Sequence, residues 1–387
     1  MSGKTVFMLA AVAILALACV AASQDEVVAR QTAEAAAGQT VEIVAKPTVE
    51  VAFVLDTTGS MSGLIEGAKA KIWYIANQII LGEPTPEVKM ALVAYRDKGD
   101  QYVTKVFDLT DNIDQVHTDL MGFAAGGGGD GPEHVNKALH DAVNSLSWSN
   151  DDRTLKIIYL VGDAPPHNEY TDTPKYAALA KAAITKGIYV NTILCGGNQN
   201  TAKIWQDIAG RAEGRYFAIA ADGGVDNVAT PYDRELATLN SDLVETVVVY
   251  GTAAEKAKAK ELNRRAGSIA SAPVAAERAD FAAKTGKAGT RDLVAAVGDG
   301  TVKLDDVDTK LLSEKMQKMT PKEQAAHIAA QQTKRDKLNT RIQQVSRQRT
   351  QYIKQELEKA GGGKDGFDAK VVETIKEQGR KKNIAYK

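Results

Sequence analysis

Asp56, Thr58 and Ser60 stand two residues apart in the stretch VAFVLDTTGSMSG, residues 51–63, where an apolar run ends in oxygen-bearing side chains. A bend helped by Gly59 would point one carboxylate and two hydroxyls at one spot. Three hard oxygen ligands suit a hard divalent cation. The same residues also suit a helix start, with Ser60 or Ser62 as cap and Asp56 favouring the dipole. Two other segments offer similar chemistry. The loop GGGGDGPE, residues 126–133, places Asp130 directly before a predicted helix. The apolar run IIYLV, residues 157–161, leads into Gly162 and Asp163. Asp56, Thr58, Ser60, Asp130 and Asp163 are therefore the candidate metal ligands, and nothing singles out a nucleophile with its base.

Such side chains need elements to carry them. Residues 49–55 are apolar enough to be covered on both faces, as a central parallel strand must be. Leu64, Ile65, Ala68, Ile72 and Ile75 recur at helical spacing and predict a helix over 62–80. Further strands are predicted over 88–95, 154–161, 188–194 and 215–219, with a short antiparallel edge strand over 102–107. Helices are predicted over 113–121, 132–146, 174–186 and 201–210, and a long closing helix over 231–249. This alternation predicts an α/β domain over 48–250, Rossmann-like, with a mostly parallel central sheet and helices on both faces. Ligands of open parallel sheets gather beyond the carboxyl ends of the strands. Asp56 and Asp163 stand at two such ends. Residues 251–387 change to an Ala/Lys/Glu-rich, all-α character, with a long polar helix near 321–359. Its thin stripe of Leu338, Ile342, Val345 and Tyr352 suits packing back on the domain, pairing with another helix, or dimerisation. A short helix follows over 367–375.

The bulk numbers bound the class. A chain of 387 residues with 44% apolar and 25% charged residues fits a soluble globular protein. Its net charge of -1 hides an asymmetry: residues 251–387 hold 29 Lys/Arg against 18 Asp/Glu, and residues 1–250 hold 19 against 31. The two halves are suited to attract each other, or the basic half to face an acidic partner. Lys4, the apolar run 6–20 and the small residues Ala21, Ala22 and Ser23 read as a secretory signal peptide over 1–22. That implies export to the periplasm, the cell envelope or the extracellular space. The run is short for a retained membrane span, and Leu17-Ala18-Cys19 offers a loose lipidation box at Cys19. Residues 23–47 form an N-terminal segment, with 40–44 strand-like. After cleavage only Cys195 remains, which excludes a disulfide framework.

The arrangement resembles the von Willebrand factor type A (VWA) domain and its metal-ion-dependent adhesion site. The motif of that family is Asp-x-Ser-x-Ser after the first strand, a Thr in a second loop and an Asp after a later strand. Asp56, Thr58 and Ser60 match the first part with Thr at the first Ser position, and Asp163 matches the last Asp. Asp130 falls in the loop where integrin-like members have Thr. With the runs Tyr95-Arg96-Asp97 and Gly129-Asp130-Gly131-Pro132-Glu133, the chain looks like bacterial exported proteins carrying such a domain. The resemblance implies an exported, metal-dependent protein-binding module whose partner completes the coordination with a carboxylate. It implies a divalent cation, Mg²⁺ ahead of Ca²⁺ given the few ligands and the hydroxyls. A third carboxylate from Asp130 would leave less for an acidic partner to gain, and Asp130→Thr should then raise affinity for one.

Other classes fare less well. Asp56-Thr57-Thr58-Gly59 echoes the aspartic-protease signature, but the spacing is off by one and a second Asp-Thr-Gly is missing. A metal-dependent hydrolase acting on phosphate is the enzyme alternative, yet residues 126–129 carry no phosphate-cradling Lys. His134 and His167 read as loop or helix-surface residues, and Cys195 as a buried small hydrophobe. Arg96 suits a surface pair with Asp97 or a place on the rim. Few aromatics and no reader motif accompany the basic half, so nucleic acid is not expected as a partner. A structural envelope protein with a structural ion is a further alternative.

Overall fold

A computed structural model describes residues 46–129, 131–224, 228–361 and 366–386, and residues 46–387 cluster as one compact unit. The predicted signal peptide, Cys19, the strand-like residues 40–44 and Asp130 lie outside the described residues.

Six strands form one sheet in the order β3-β2-β1-β4-β5-β6. They are β1 (Thr48–Asp56), β2 (Glu87–Tyr95), β3 (Thr104–Thr110), β4 (Leu155–Gly162), β5 (Ile188–Cys195) and β6 (Tyr216–Ile219). All neighbours pair in parallel except β2 with β3, which is antiparallel at the edge. β1 and β4, at the centre, are buried along nearly their whole length. This is why residues 49–55 and 157–161 read as continuous apolar runs: each pleat face must be covered.

The two faces divide by residue parity. Val51, Phe53, Leu55, Ile157, Tyr159 and Val161 face one apolar cluster, to which α1 (Ser62–Ile79) and α2 (Ile113–Met121) contribute. Ala52, Val54, Ile158 and Leu160 face the other, filled by α3 (Val135–Asn144), α4 (Tyr176–Thr185) and α5 (Gln199–Arg211). The α/β class and the all-helical character beyond residue 250 both hold.

The closing helix is the main departure. The segment expected to end the α/β domain forms α6 (Asp233–Val244), and Leu236 and Leu243 bury themselves in a separate helical cluster. That cluster includes α8 (Ala272–Thr285) and Ile342 and Val345 of the 40-residue helix α10 (Pro321–Ala360). The stripe on α10 thus packs back on its own chain, the first of its three expected roles. The flank of the sheet beside α1 is instead covered by α11 (Phe367–Arg380), from the far end of the chain. Phe367 lies 6.0 Å from Phe53, ring to ring. The hydroxyl of Tyr159 donates to Val371 O at 3.0 Å and meets Thr374 Oγ1 at 2.5 Å. Asn191 and Gln378 exchange two amide hydrogen bonds of 3.1 and 2.9 Å. Proximity in sequence pointed to α6, but it is α11 that buries Phe367, Val371 and Ile375 against the sheet.

The helical region also contains α7 (Ala253–Gly267) and the short α9 (Leu293–Gly298). Buried ion pairs tie it together. Arg349 pairs with Asp233 at 2.7 Å and with Glu277 at 2.5 Å, and Arg335 pairs with Asp292 at 2.7 Å. Among the described residues no helix is long and apolar enough to cross a membrane.

Candidate functional site

The carboxyl end of β1 delivers Asp56 into a fully buried position. Its Oδ1 accepts from the Thr58 amide at 2.9 Å and from the Thr58 hydroxyl at 2.6 Å. The Thr58 hydroxyl lies 3.4 Å from Ser60 Oγ. One 3-10 turn, Gly59–Met61, then feeds straight into α1. The capping alternative is not realised: the cap positions are Thr58 and Met61, and neither side chain makes a capping bond. The three oxygen-bearing residues are gathered at the rim, and Asp56 Oδ2 is buried without a hydrogen-bond partner. Burial pushes the Asp56 carboxyl up to about 7; the Thr58 hydrogen bonds oppose this, nearby Asp163 adds to it, and Arg96 opposes it.

β4 brings Asp163 to the same rim. The β1–β4 register pairs Leu55 with Val161, so Gly162 comes level with Asp56. A Cβ on Gly162 would run into the Tyr95 hydroxyl and lie 3.1 Å from Asp56 Oδ2. Only glycine lets the two strand ends approach this closely.

The Gly-rich loop is laid against the turn after β1. Gly126 N–H donates to Thr57 O at 3.1 Å, and Gly59 N–H to Gly127 O at 3.4 Å. Gly127 has φ +75°, and a Cβ there would occupy the place of the Asp100 carboxylate. That carboxylate accepts from Gly128 N–H at 3.1 Å.

The loop also supplies a group that sequence reasoning passed over. Glu133 is 4% exposed, and its main chain is fixed by Glu133 N–H to Pro165 O at 2.9 Å and His167 N–H to Glu133 O at 3.2 Å. A Cβ on Gly128 would lie 3.6 Å from Glu133 Oε1 and 3.5 Å from Thr58 Cβ, so Glu133 reaches the same corner as Thr58. Its Oε2 is buried with no hydrogen-bond partner. Burial, then the charges of Asp56, Asp97, Asp100 and Asp163, push its carboxyl up to about 9. Glu133 belongs to the run that carried Asp130. The available signal was its place beside the helix start: α3 begins at Val135 rather than near Pro132, which leaves Glu133 in the loop.

Three neighbouring readings change. Arg96 is buried rather than on the surface, donating to Thr57 O at 3.0 Å and Ala124 O at 2.7 Å, with its guanidinium 4.5 Å from the centre of the Tyr102 ring. It braces the turn after β1 against the Gly-rich loop. His134 and His167 are buried too. His134 caps α3, accepting from Lys137 N–H at 3.3 Å, while His167 stacks on Tyr170 and lies 3.3 Å from Asp97 Oδ2. Cys195 is buried, and its thiol is pushed well above the usual range, chiefly by burial.

Residues 50–230 match the family model described as von Willebrand factor A domain. This chain contains a VWA-like domain. A putative ariadne-like RING finger protein of Acanthamoeba polyphaga mimivirus is 30% identical over 127 residues, which are 33% of this chain and 12% of that protein. This chain therefore spans a small part of that viral relative. Among solved structures, proximal thread matrix protein 1 from the mussel byssus is similar at 15% identity and a TM-score of 0.36, over 46% of this chain and 43% of that one. The VWA domain of SpRpn10 is similar at 14% identity and a TM-score of 0.35, over 46% of this chain and 89% of that one.

Within the VWA-like domain, the donors at the rim are mixed carboxylates and hydroxyls. Among the described residues no group of three or more His, Cys, Asp or Glu stands in metal-holding geometry. The set Asp56, Thr58, Ser60 and Asp163 has only two carboxylates. It fits a cation through hydroxyl participation, and the orphaned Asp56 Oδ2 is the atom that calls for one.

Proposed function

We propose that the VWA-like domain is a protein-binding module whose rim holds a divalent cation, Mg²⁺ ahead of Ca²⁺. Asp56, Thr58, Ser60 and Asp163 would hold the ion directly or through water, with Asp130 as a further ligand from the Gly-rich loop. The ion would present a charged, partly hydrated point on the domain surface to a partner protein. One observation carries this reading. Asp56 is fully buried, one of its oxygens is committed to Thr58, and the other has no partner. An orphaned buried carboxylate oxygen is costly unless a cation or a proton meets it. We place the protein outside the cytoplasm, in the envelope or beyond it, on the strength of the N-terminal apolar run, with Cys19 as the candidate lipidation residue.

Calorimetric titration of the wild type and Asp56→Ala with Mg²⁺ and with Ca²⁺ tests the ion. Equal heats for both proteins would remove it. Capture of partners with and without chelator then separates an ion that engages a partner from one that only supports the fold.

A further inference from the structure

Glu133 adds a buried carboxylate to the rim from a fixed main chain. Its neighbours set the local charge. Asp56, Asp97, Asp100 and Asp163 all act on it electrostatically. The nearby cations are committed: Arg96 to two main-chain carbonyls, and Lys98 to Asp172 at 3.0 Å and to the Tyr170 ring at 4.0 Å. Ionised carboxylates crowded together repel, and among the described residues no carboxylate cage is preformed. A dication draws them in. Asp56, Asp163 and Glu133 together outweigh its two charges, and Asp97 and Asp100 add to the excess.

We propose that Glu133 is this chain's own carboxylate for the rim cation, that it takes the coordination position an acidic partner residue would need, and that the rim accordingly fits a partner presenting a basic side chain. The proposal rests on the cation reading above and departs from the acidic partner that the family resemblance implies. The orphaned Oε2 at a position 4% exposed is the independent observation, since it marks a ligand atom with nothing yet to bind. The two main-chain bonds that fix Glu133 to the loop after β4 make it a constant part of the site rather than a mobile competitor. A surface that stays negative with the ion bound repels a carboxylate and attracts an ammonium or guanidinium group.

Mn²⁺ serves as the probe ion, with acetate and methylammonium as stand-ins for acidic and basic side chains. Electron paramagnetic resonance first reports whether Mn²⁺ binds to the full chain. Methyl-proton relaxation of each small molecule then reports its approach to the bound ion. In the wild type, methylammonium should be relaxed more strongly than acetate. In Glu133→Thr the order should reverse, with acetate relaxation rising about tenfold, the change expected when one like charge is removed at close range. Glu133→Gln, which keeps the size, serves if the Thr variant does not fold, and it too should admit acetate. If Mn²⁺ binds and acetate is relaxed equally in wild type and variant, the role of Glu133 is overturned while the cation reading stands. If neither protein binds Mn²⁺, the cation reading falls and takes this one with it.

Discussion

Cation binding at this rim should expel protons, and the amount says which carboxylates bind. The perturbation is pH. In the ion-free protein the Asp56 carboxyl sits at about 7 and Glu133 at about 9. A dication needs the ionised forms, so apparent affinity rises with pH until each group has lost its proton. Asp56 is about one-tenth ionised at pH 6 and about nine-tenths at pH 8. If Asp56 alone must ionise, affinity should rise about tenfold over that range. Glu133 contributes a further factor of about ninety if it also binds, bringing the total close to a thousandfold. At pH 7 the corresponding proton release is about 0.5 in the first case and about 1.5 in the second. Calorimetry with Mg²⁺ in buffers of different ionisation enthalpy measures the release directly. Glu133→Gln should return the steeper dependence to the shallower one, and Asp56→Asn should remove the remainder. Heats that do not depend on the buffer, with an affinity flat from pH 6 to 8, would refute the reasoning for both residues.

Other perturbations test the rest of the structure. The folded pKa of Asp56 is raised from 3.8 to about 7, so this group's contribution to ion-free stability is greatest below pH 4, falls as pH rises to 7 and then levels off. Asp56→Asn should therefore raise the melting temperature in chelator at pH 8, with an upper bound of the order of 4 kcal/mol; a lower melting temperature would contradict it. Gly162→Ala places a methyl against the Tyr95 hydroxyl and Asp56, and should cost about 1–3 kcal/mol in denaturant unfolding while weakening cation binding. Phe367→Ala should destabilise the sheet by about 3–5 kcal/mol and speed amide exchange in β1 and β4, although it lies far from both in sequence. Arg349→Ala leaves Asp233 and Glu277 without their shared partner and should cost about 3–5 kcal/mol by the same unfolding measurement.

Much of this was legible because burial writes itself into β1 and β4. A strand covered on both faces must be apolar throughout, so the abrupt arrival of Asp56 and of Gly162-Asp163 marks the strand ends within a residue. The helix predicted over 113–121 is found at those bounds, because Asn112 caps it and Val116 and Leu120 lie on one face. Two things were hidden. The inward turn of Glu133 depends on main-chain bonds to Pro165 and His167, partners more than thirty residues away. Likewise, α6 and α11 both carry apolar stripes, and nothing local says which one the sheet receives. The Tyr159–Thr374 and Asn191–Gln378 contacts that settle it join residues roughly two hundred positions apart.

The use of α11 as a sheet cover has a consequence for the order of assembly. During synthesis β1 and β4 emerge early, yet Phe53 and Tyr159 meet their last covering residues only when the segment from Phe367 to Tyr386 has emerged. Until then one flank of the sheet lies open, and a half-covered parallel sheet has little stability of its own. Closure across so long a separation is also slow. The core of the sheet thus cannot seal until residues 367–386 have been made, long after its last strand has emerged.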